Sequence, residues 1–189
     1  MAEVIFKTPK PKVFHSIPWN SEKLIGKSYN QFMNLIGSND WGCFLDGDAV
    51  HTSSFFGKRI EDVIDVNPQY SLFTCYTNRI GNPYQIAPGV DKNSNDQSYH
   101  RNFGEGIWKN FNTSVIDVTN NTPLSGVVIL IKKSAWEKVG GFKETGMLGV
   151  DNDIHVKFRQ GGFKVGLMKG IYVQHWYRGG NVSDKKHLL

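Results

Sequence analysis

The sequence predicts an α/β fold with a mostly parallel central sheet flanked by helices, and three observations carry that prediction. A short apolar run at residues 12–17 (KVFHSI) is followed by a loop, an amphipathic stretch and a second apolar run, which is the order of a βαβ unit. Further runs at 71–77 (SLFTCYT) and 125–131 (SGVVILI) have the length and residue types of buried strands. The stretches between several of these runs space their apolar residues as helices do. At 189 residues and 39% hydrophobic content, the chain fits one domain with a substantial core.

The elements follow in order. After the loop Pro18-Trp19-Asn20-Ser21, residues 22–36 place Leu24, Ile25, Tyr29, Phe32, Met33, Leu35 and Ile36 as an amphipathic helix would, and Gly37 ends it. The run Trp41–Leu45 is the next strand, and 55–64 a second helix. The strand at 125–131 leads into a short helix over 133–139 and a turn at Gly140-Gly141-Phe142. Residues 151–160 read as a helix with Ile154 and Phe158 on one face and Gly161-Gly162 at its end. Two short strands are expected at 163–167 and 170–175. The segment 81–114 mixes Asn, Gly and Asp with isolated aromatics and no clear period, so it reads as a long mobile surface loop. The polar stretch 179–189 reads as a loose tail. No internal repeat is visible.

Charge and cysteine content narrow the setting. The formal net charge is +5 and the basic residues are scattered, which suits phosphate-bearing partners; no basic and aromatic stripe points to nucleic acid. Cys43 and Cys75 sit in strand-like runs with neither metal nor disulfide spacing, so a reducing, cytoplasmic setting is expected. The N-terminus has no apolar core for export, and the apolar run at 127–131 is too short to cross a bilayer.

The stretch CFLDGDAVH holds the sharpest chemistry. An apolar strand stops at Asp46 and Asp48, separated by Gly47. Asp-Gly is a common turn dipeptide, so a plain turn is one reading. The other follows from position, because ligands gather beyond the carboxyl ends of strands in parallel α/β sheets. If the backbone stays extended, the two carboxylates lie on one side of it and can face one cation.

The ordered set IPWN, IGKSYNQFM, CFLDGDA, LSGVVILIKKSAWEKVGGF, GVDNDIHVKFRQGGFKV and GIYVQHWYR resembles the family 2 type of nucleotide-sugar glycosyltransferases with the Rossmann-like GT-A fold. The resemblance covers nearly the whole chain apart from 81–114 and the two tails. It implies a Mn²⁺ or Mg²⁺ cofactor held directly by Asp48 and by His175, with Asp46 reaching the metal through water or holding the ribose. It implies a nucleotide cradle at Pro18, Trp19 and Asn20, where Trp19 either stacks on a base or packs over the sheet edge. Lys23, Gly26, Lys27 and Asn30 match the family's basic-Gly-Asn pattern on the following helix, and Gly47 lies beside the nucleotide. Ser125 and Gly126 would let the donor sugar lie against backbone, and Arg178 would reach the diphosphate. The catalytic base falls at Asp151, with Asp153 as the second candidate; an Asp at a helix start also caps it.

The chemistry of such a site is simple to state. Charge grows on the diphosphate as the bond to the sugar carbon breaks, and a divalent cation stabilises it. Oxygen ligands with one imidazole suit Mn²⁺ or Mg²⁺. An inverting transfer also needs a carboxylate to take the acceptor's proton.

The chain departs from the family between IPWN and KLIGKSYN, where relatives carry another strand and helix that form part of the base pocket. The glutamine-arginine-tryptophan signature of processive synthases is missing, so transfer of a single sugar to a hydroxyl acceptor is expected. Two other classes compete. A sugar-nucleotide nucleotidyltransferase would want a Gly-rich basic loop after the first strand, which IPWNSEK does not provide. A non-catalytic carbohydrate-binding domain would account for the aromatic residues but has no need of Asp46, Asp48, Asp151 and His175 together.

Overall fold

The computed structural model describes residues 10–176. Arg178 and the expected tail at 179–189 lie outside the described residues. Seven strands form one sheet: β1 (Val13–Ser16), β2 (Trp41–Leu45), β3 (Ala49–His51), β4 (Tyr70–Thr77), β5 (Val115–Asp117), β6 (Val128–Lys132) and β7 (Lys164–His175). Their order is β1-β2-β6-β4-β7-β3, with β5 pairing the first half of β7 and β3 its end. Five helices accompany them: α1 (Ile25–Met33), α2 (Phe56–Val66), α3 (Gln97–Phe111), α4 (Lys133–Lys138) and α5 (Val150–Gln160).

The α/β architecture is as expected, but the sheet is mixed rather than mostly parallel. Only β1 with β2 and β4 with β7 run parallel. The β2–β6, β4–β6, β3–β7 and β5–β7 pairs are antiparallel. The physical reason lies in the connections. A helix that recrosses the sheet fixes a parallel pair, as α1 does for β1 and β2. β6 is entered from the irregular stretch after β5, so it can insert between β2 and β4 and run against both.

Cores lie on both faces because alternate strand residues point to opposite sides. Phe44 joins Met33, Ile129, Ile131, Ile154 and Phe158 on the face covered by α1, α4 and α5. Cys43 joins Ile60, Val63, Phe73 and Leu130 on the face covered by α2. Both cysteines are buried free thiols.

Local chemistry corrects several boundaries. α1 begins at Ile25 rather than 22, since Lys23 has φ +58° and Asn20 Oδ1 accepts from the Glu22 and Leu24 amides in a turn that delays the helix. The expected mobile loop at 81–114 instead contains a 3-10 turn, Pro83–Gln85, and the fifteen-residue α3. Asp96 caps α3 by accepting from the Ser98 amide. Its buried face is His100, Gly104 and Ile107, so two of the three inward positions carry no apolar signal. The two strands expected at 163–175 are the single strand β7, with a register shift between Met168 and Tyr172 against β4. Gly170 lies in that shift, where a Cβ would come 1.9 Å from the Asn112 carbonyl oxygen.

Candidate metal centre

The end of β2 turns back on itself. The Ala49 amide donates to the Asp46 carbonyl at 3.0 Å, so Asp46-Gly47-Asp48-Ala49 is a tight turn that leads into β3. The backbone of CFLDGDAVH therefore forms the plain turn, and that turn also sets the two acidic side chains close together. The turn, and not an extended backbone as the side-chain alternation assumed, brings the two carboxylates to one place. β3 then pairs with the end of β7, setting Ala49 opposite His175, and the Trp176 amide donates to the Asp48 carbonyl at 2.9 Å.

This pairing seats the imidazole against the acids. His175 Nε2 lies 3.1 Å from Asp48 Oδ1 and 3.9 Å from Asp46 Oδ2. One ligand-type atom from each of the three residues falls within 4.8 Å of the others. His175 is buried, Asp46 half-buried and Asp48 exposed, so the cluster opens to solvent on its acidic side. His175 Nδ1 is 2.8 Å from the Arg79 carbonyl, and because a carbonyl only accepts, Nδ1 carries the proton. With Nδ1 so engaged, Nε2 is the nitrogen that faces Asp48 and Asp46, and it could meet a cation in place of a proton. Two carboxylates and one such imidazole fit a hard divalent cation.

The titration behaviour of the cluster reflects crowding. Burial is the largest influence on Asp46 and raises its pKa; His175 works against the rise, while Asp48 and Asp151 reinforce it. Burial alone would lower the pKa of His175, yet its hydrogen bond and charge contact with Asp48, the Arg79 carbonyl and Asp46 leave it raised.

Asp151 stands beside this group. It lies in the first turn of α5, whose N-cap is Gly149, and the Asn152 amide donates to Asp151 Oδ1 at 2.8 Å. Burial raises its pKa against the backbone amides of Asn152, Gly126 and its own residue, with Lys143 also opposing. A carboxyl lifted in this way is suited to taking a proton. Asp153 faces elsewhere, in an i,i+4 ion pair with Lys157 at 3.0 Å. Gly126 is packed on Asp151: a Cβ there would come 3.2 Å from the aspartate Cβ. Ser125 is held by Gln85, which accepts from its amide at 2.7 Å and donates to its carbonyl at 3.0 Å.

The expected nucleotide cradle is arranged differently from its pattern. Lys23 precedes the helix, so it does not share a helical face with Lys27 and Asn30. Asn30 is occupied in holding the turn before α5: it accepts from Phe142 N and Trp136 Nε1 and donates to Phe142 O and Glu144 Oε1. Gly26 permits a close approach, but of this chain's own backbone, since a Cβ would come 1.8 Å from the Lys143 carbonyl oxygen. Gly47 is exposed and has room around it, with only Ile17 Cγ2 3.8 Å from a built Cβ. The loop folds back on α1 through Ser28 Oγ, which donates to the Trp19 carbonyl. Pro18 is half-buried, and the Trp19 side chain stands out into solvent at 78% exposure.

Tyr29, Lys143, Asn78 and Arg79 belong to the site's surroundings and went unseen in the sequence. Tyr29 packs between Phe44 and Phe142, at ring distances of 4.6 and 4.7 Å, and its phenol pKa is pushed up by burial and then by Asp46 and Asp151. Its apolar spacing marked it as core, which it also is. Lys143 follows directly on the stretch that ends at Phe142 and carries no motif of its own. Asn78 and Arg79 follow the end of β4, and nothing else in the sequence singles them out.

Compared with protein-family models and with curated proteins, the chain matches none. Among the described residues, no helix is long and apolar enough to cross a membrane.

Proposed function

We propose that this chain is a metal-dependent glycosyltransferase of the GT-A, family 2-like type, moving one sugar from a nucleotide-diphosphate sugar to a hydroxyl acceptor with inversion. The observation that carries the reading is the meeting of Asp46, Asp48 and His175 within 4.8 Å, from segments more than a hundred residues apart, with Asp151 beside them. A turn alone would need no imidazole, and a helix cap alone would need no neighbouring acid cluster. The two buried free thiols agree with a cytoplasmic setting.

Asp46, Asp48 and His175 would hold Mn²⁺ or Mg²⁺, which supplies charge neutralisation at the diphosphate. The remaining steps belong to the chain. Lys143, close enough to Asp151 to oppose its rise in pKa, adds a positive charge on the same side. The acceptor oxygen bonds to the anomeric carbon as the carbon–oxygen bond to the diphosphate breaks, and the hydroxyl proton passes to Asp151. Ser125 and Gly126 present backbone beside Asp151, where the sugar would lie.

A thermal-shift series with nucleoside diphosphates and sugar nucleotides, with and without Mn²⁺, tests the reading, since a ligand of the folded state raises the melting temperature. A rise that needs nucleotide and Mn²⁺ together, and is lost in Asp48→Ala, is expected. A response to free glycans with none to nucleotides would make the chain a carbohydrate-binding domain. A response to nucleoside triphosphates with sugar phosphates would favour a nucleotidyltransferase.

A further inference from the structure

We propose that Arg79 and His100 are positioning residues for His175, joined through the carbonyl of Ser94 into a closed hydrogen-bonded circuit that fixes how the imidazole meets the metal. The inference rests on the metal reading of Asp46, Asp48 and His175.

The circuit can be followed atom by atom. His175 Nδ1 donates to the Arg79 carbonyl at 2.8 Å. The Arg79 guanidinium reaches outward to the segment before α3, where Nη2 donates to Ser94 O at 3.3 Å and to Asn95 Oδ1 at 3.0 Å, and Nε donates to Lys92 O. Ser94 O also accepts from His100 Nε2 at 3.0 Å. That leaves His100 Nδ1 to accept from the Tyr172 hydroxyl, 2.7 Å away. Tyr172 and His175 are three residues apart on β7, so the path closes through the strand.

Two further features bind the circuit to the metal centre. Asn78 Oδ1 accepts from the His175 amide at 2.7 Å, so consecutive residues, Asn78 and Arg79, hold the backbone and the ring of the same histidine. Asn78 is fully buried, and its Nδ2 has no hydrogen-bond partner among the described residues. An unmatched buried donor is a cost; what Asn78 supplies against it is the oxygen that seats His175. Arg79 lies two residues beyond the end of β4, outside the ladder, so its carbonyl is held in place by its own side chain and by the segment that side chain grips. His100 is the second anchor of that segment, fixed from beneath by Tyr172 and α3.

A structural role and a positioning role predict different results. If the circuit only stabilises the fold, replacing its members lowers the melting temperature and leaves Mn²⁺ affinity alone. If it positions His175, Mn²⁺ affinity falls by more than any loss of stability accounts for. The test measures Mn²⁺ binding to the full chain by electron paramagnetic resonance for Arg79→Lys, His100→Phe and the double variant, with Val63→Ala in the α2 core as a stability control. His100→Gln stands in should His100→Phe fail to fold.

Each single change is expected to weaken Mn²⁺ binding measurably, by no more than the about tenfold that loss of a ligand's direct partner costs, since the Arg79 carbonyl itself remains. The double variant should be little weaker than the worse single one, because both act through Ser94. Val63→Ala should lower the melting temperature without changing affinity. Unchanged affinity in both single variants, or effects that multiply in the double, would overturn the proposal while leaving the metal reading intact. A failure of the unaltered chain to bind Mn²⁺ would overturn the metal reading itself, and this proposal with it.

Discussion

Asp151 and Asp153 stand two positions apart on one helix, which points their side chains to different sides. Asp151 turns toward Gly126 and the acid cluster, while Asp153 is matched by Lys157. Asp151→Asn keeps the shape and removes the proton acceptor, so turnover should fall by about 10²–10⁴-fold while Mn²⁺-dependent nucleotide affinity holds. Asp153→Asn loses only an i,i+4 pair on a partly exposed face, and should cost about 0.3–0.5 kcal/mol with transfer unaffected. Steady-state kinetics beside calorimetry distinguish the two. His51 offers a prediction of another kind. It stacks on Phe56 at 3.6 Å and meets His15 edge-on at 6.3 Å. Burial and then His15 push its pKa down from 6.5 to about 4, and Glu61 acts on His15 in the opposite sense. Below its ordinary value the unfolded chain takes up this proton while the folded one refuses it. Stability present above about pH 6.5 is therefore lost as pH falls toward about 4. A melting-temperature series over that range should slope less steeply in His51→Phe, which keeps the stacking and cannot titrate.

Elements show why some features were legible and others were not. Trp41–Leu45 was found to the residue because all five positions are buried and the run is apolar throughout. α3 was missed because a histidine and a glycine hold two of its three inward positions; Gly104 lets the helix close on Thr52, whose Oγ1 would be 2.3 Å from a Cβ. β5 is a three-residue edge strand with little burial, too short to give a pattern. Of the candidate residues, Asp46, Asp48, His175 and Asp151 were visible as residue types at strand and helix ends, whereas the pattern expected over Lys23, Gly26, Lys27 and Asn30 is broken by a turn at Asn20 that no spacing rule registers. Two glycines test this account of packing. Gly26→Ala drives a Cβ into the Lys143 carbonyl, a backbone atom that cannot swing away, and should destabilise by about 1–3 kcal/mol. Gly106 lies inside α3 with nothing within 4 Å of a built Cβ, so Gly106→Ala should stabilise by about 0.5–1 kcal/mol. Urea unfolding of both variants gives opposite shifts if the contacts are as described.

At the scale of the whole molecule, the acid cluster joins the turn after β2 to the last residue of β7. β6 fills the middle of the sheet, with Val128, Ile129, Leu130 and Ile131 fully buried between both cores, and its direction could not be read from a strand pattern that is the same either way round. The acid cluster is remote from β6 in function but not in stability. Its donors come from the turn after β2 and from the last residue of β7, so any opening that separates those strands also destroys the site. A cation bound there lowers the population of the globally open state by the factor one plus its concentration over its dissociation constant. Amides of β6 that exchange only through global unfolding should therefore slow by that factor when Mn²⁺ is added, though β6 touches no ligand. Frayed amides at the ends of α1 open without breaking the site and should not respond. In Asp48→Ala both classes should exchange alike with and without Mn²⁺. Hydrogen exchange followed by NMR resolves the two classes, and protection confined to residues beside the turn would mean that the ion binds one segment only and does not bridge β2 to β7.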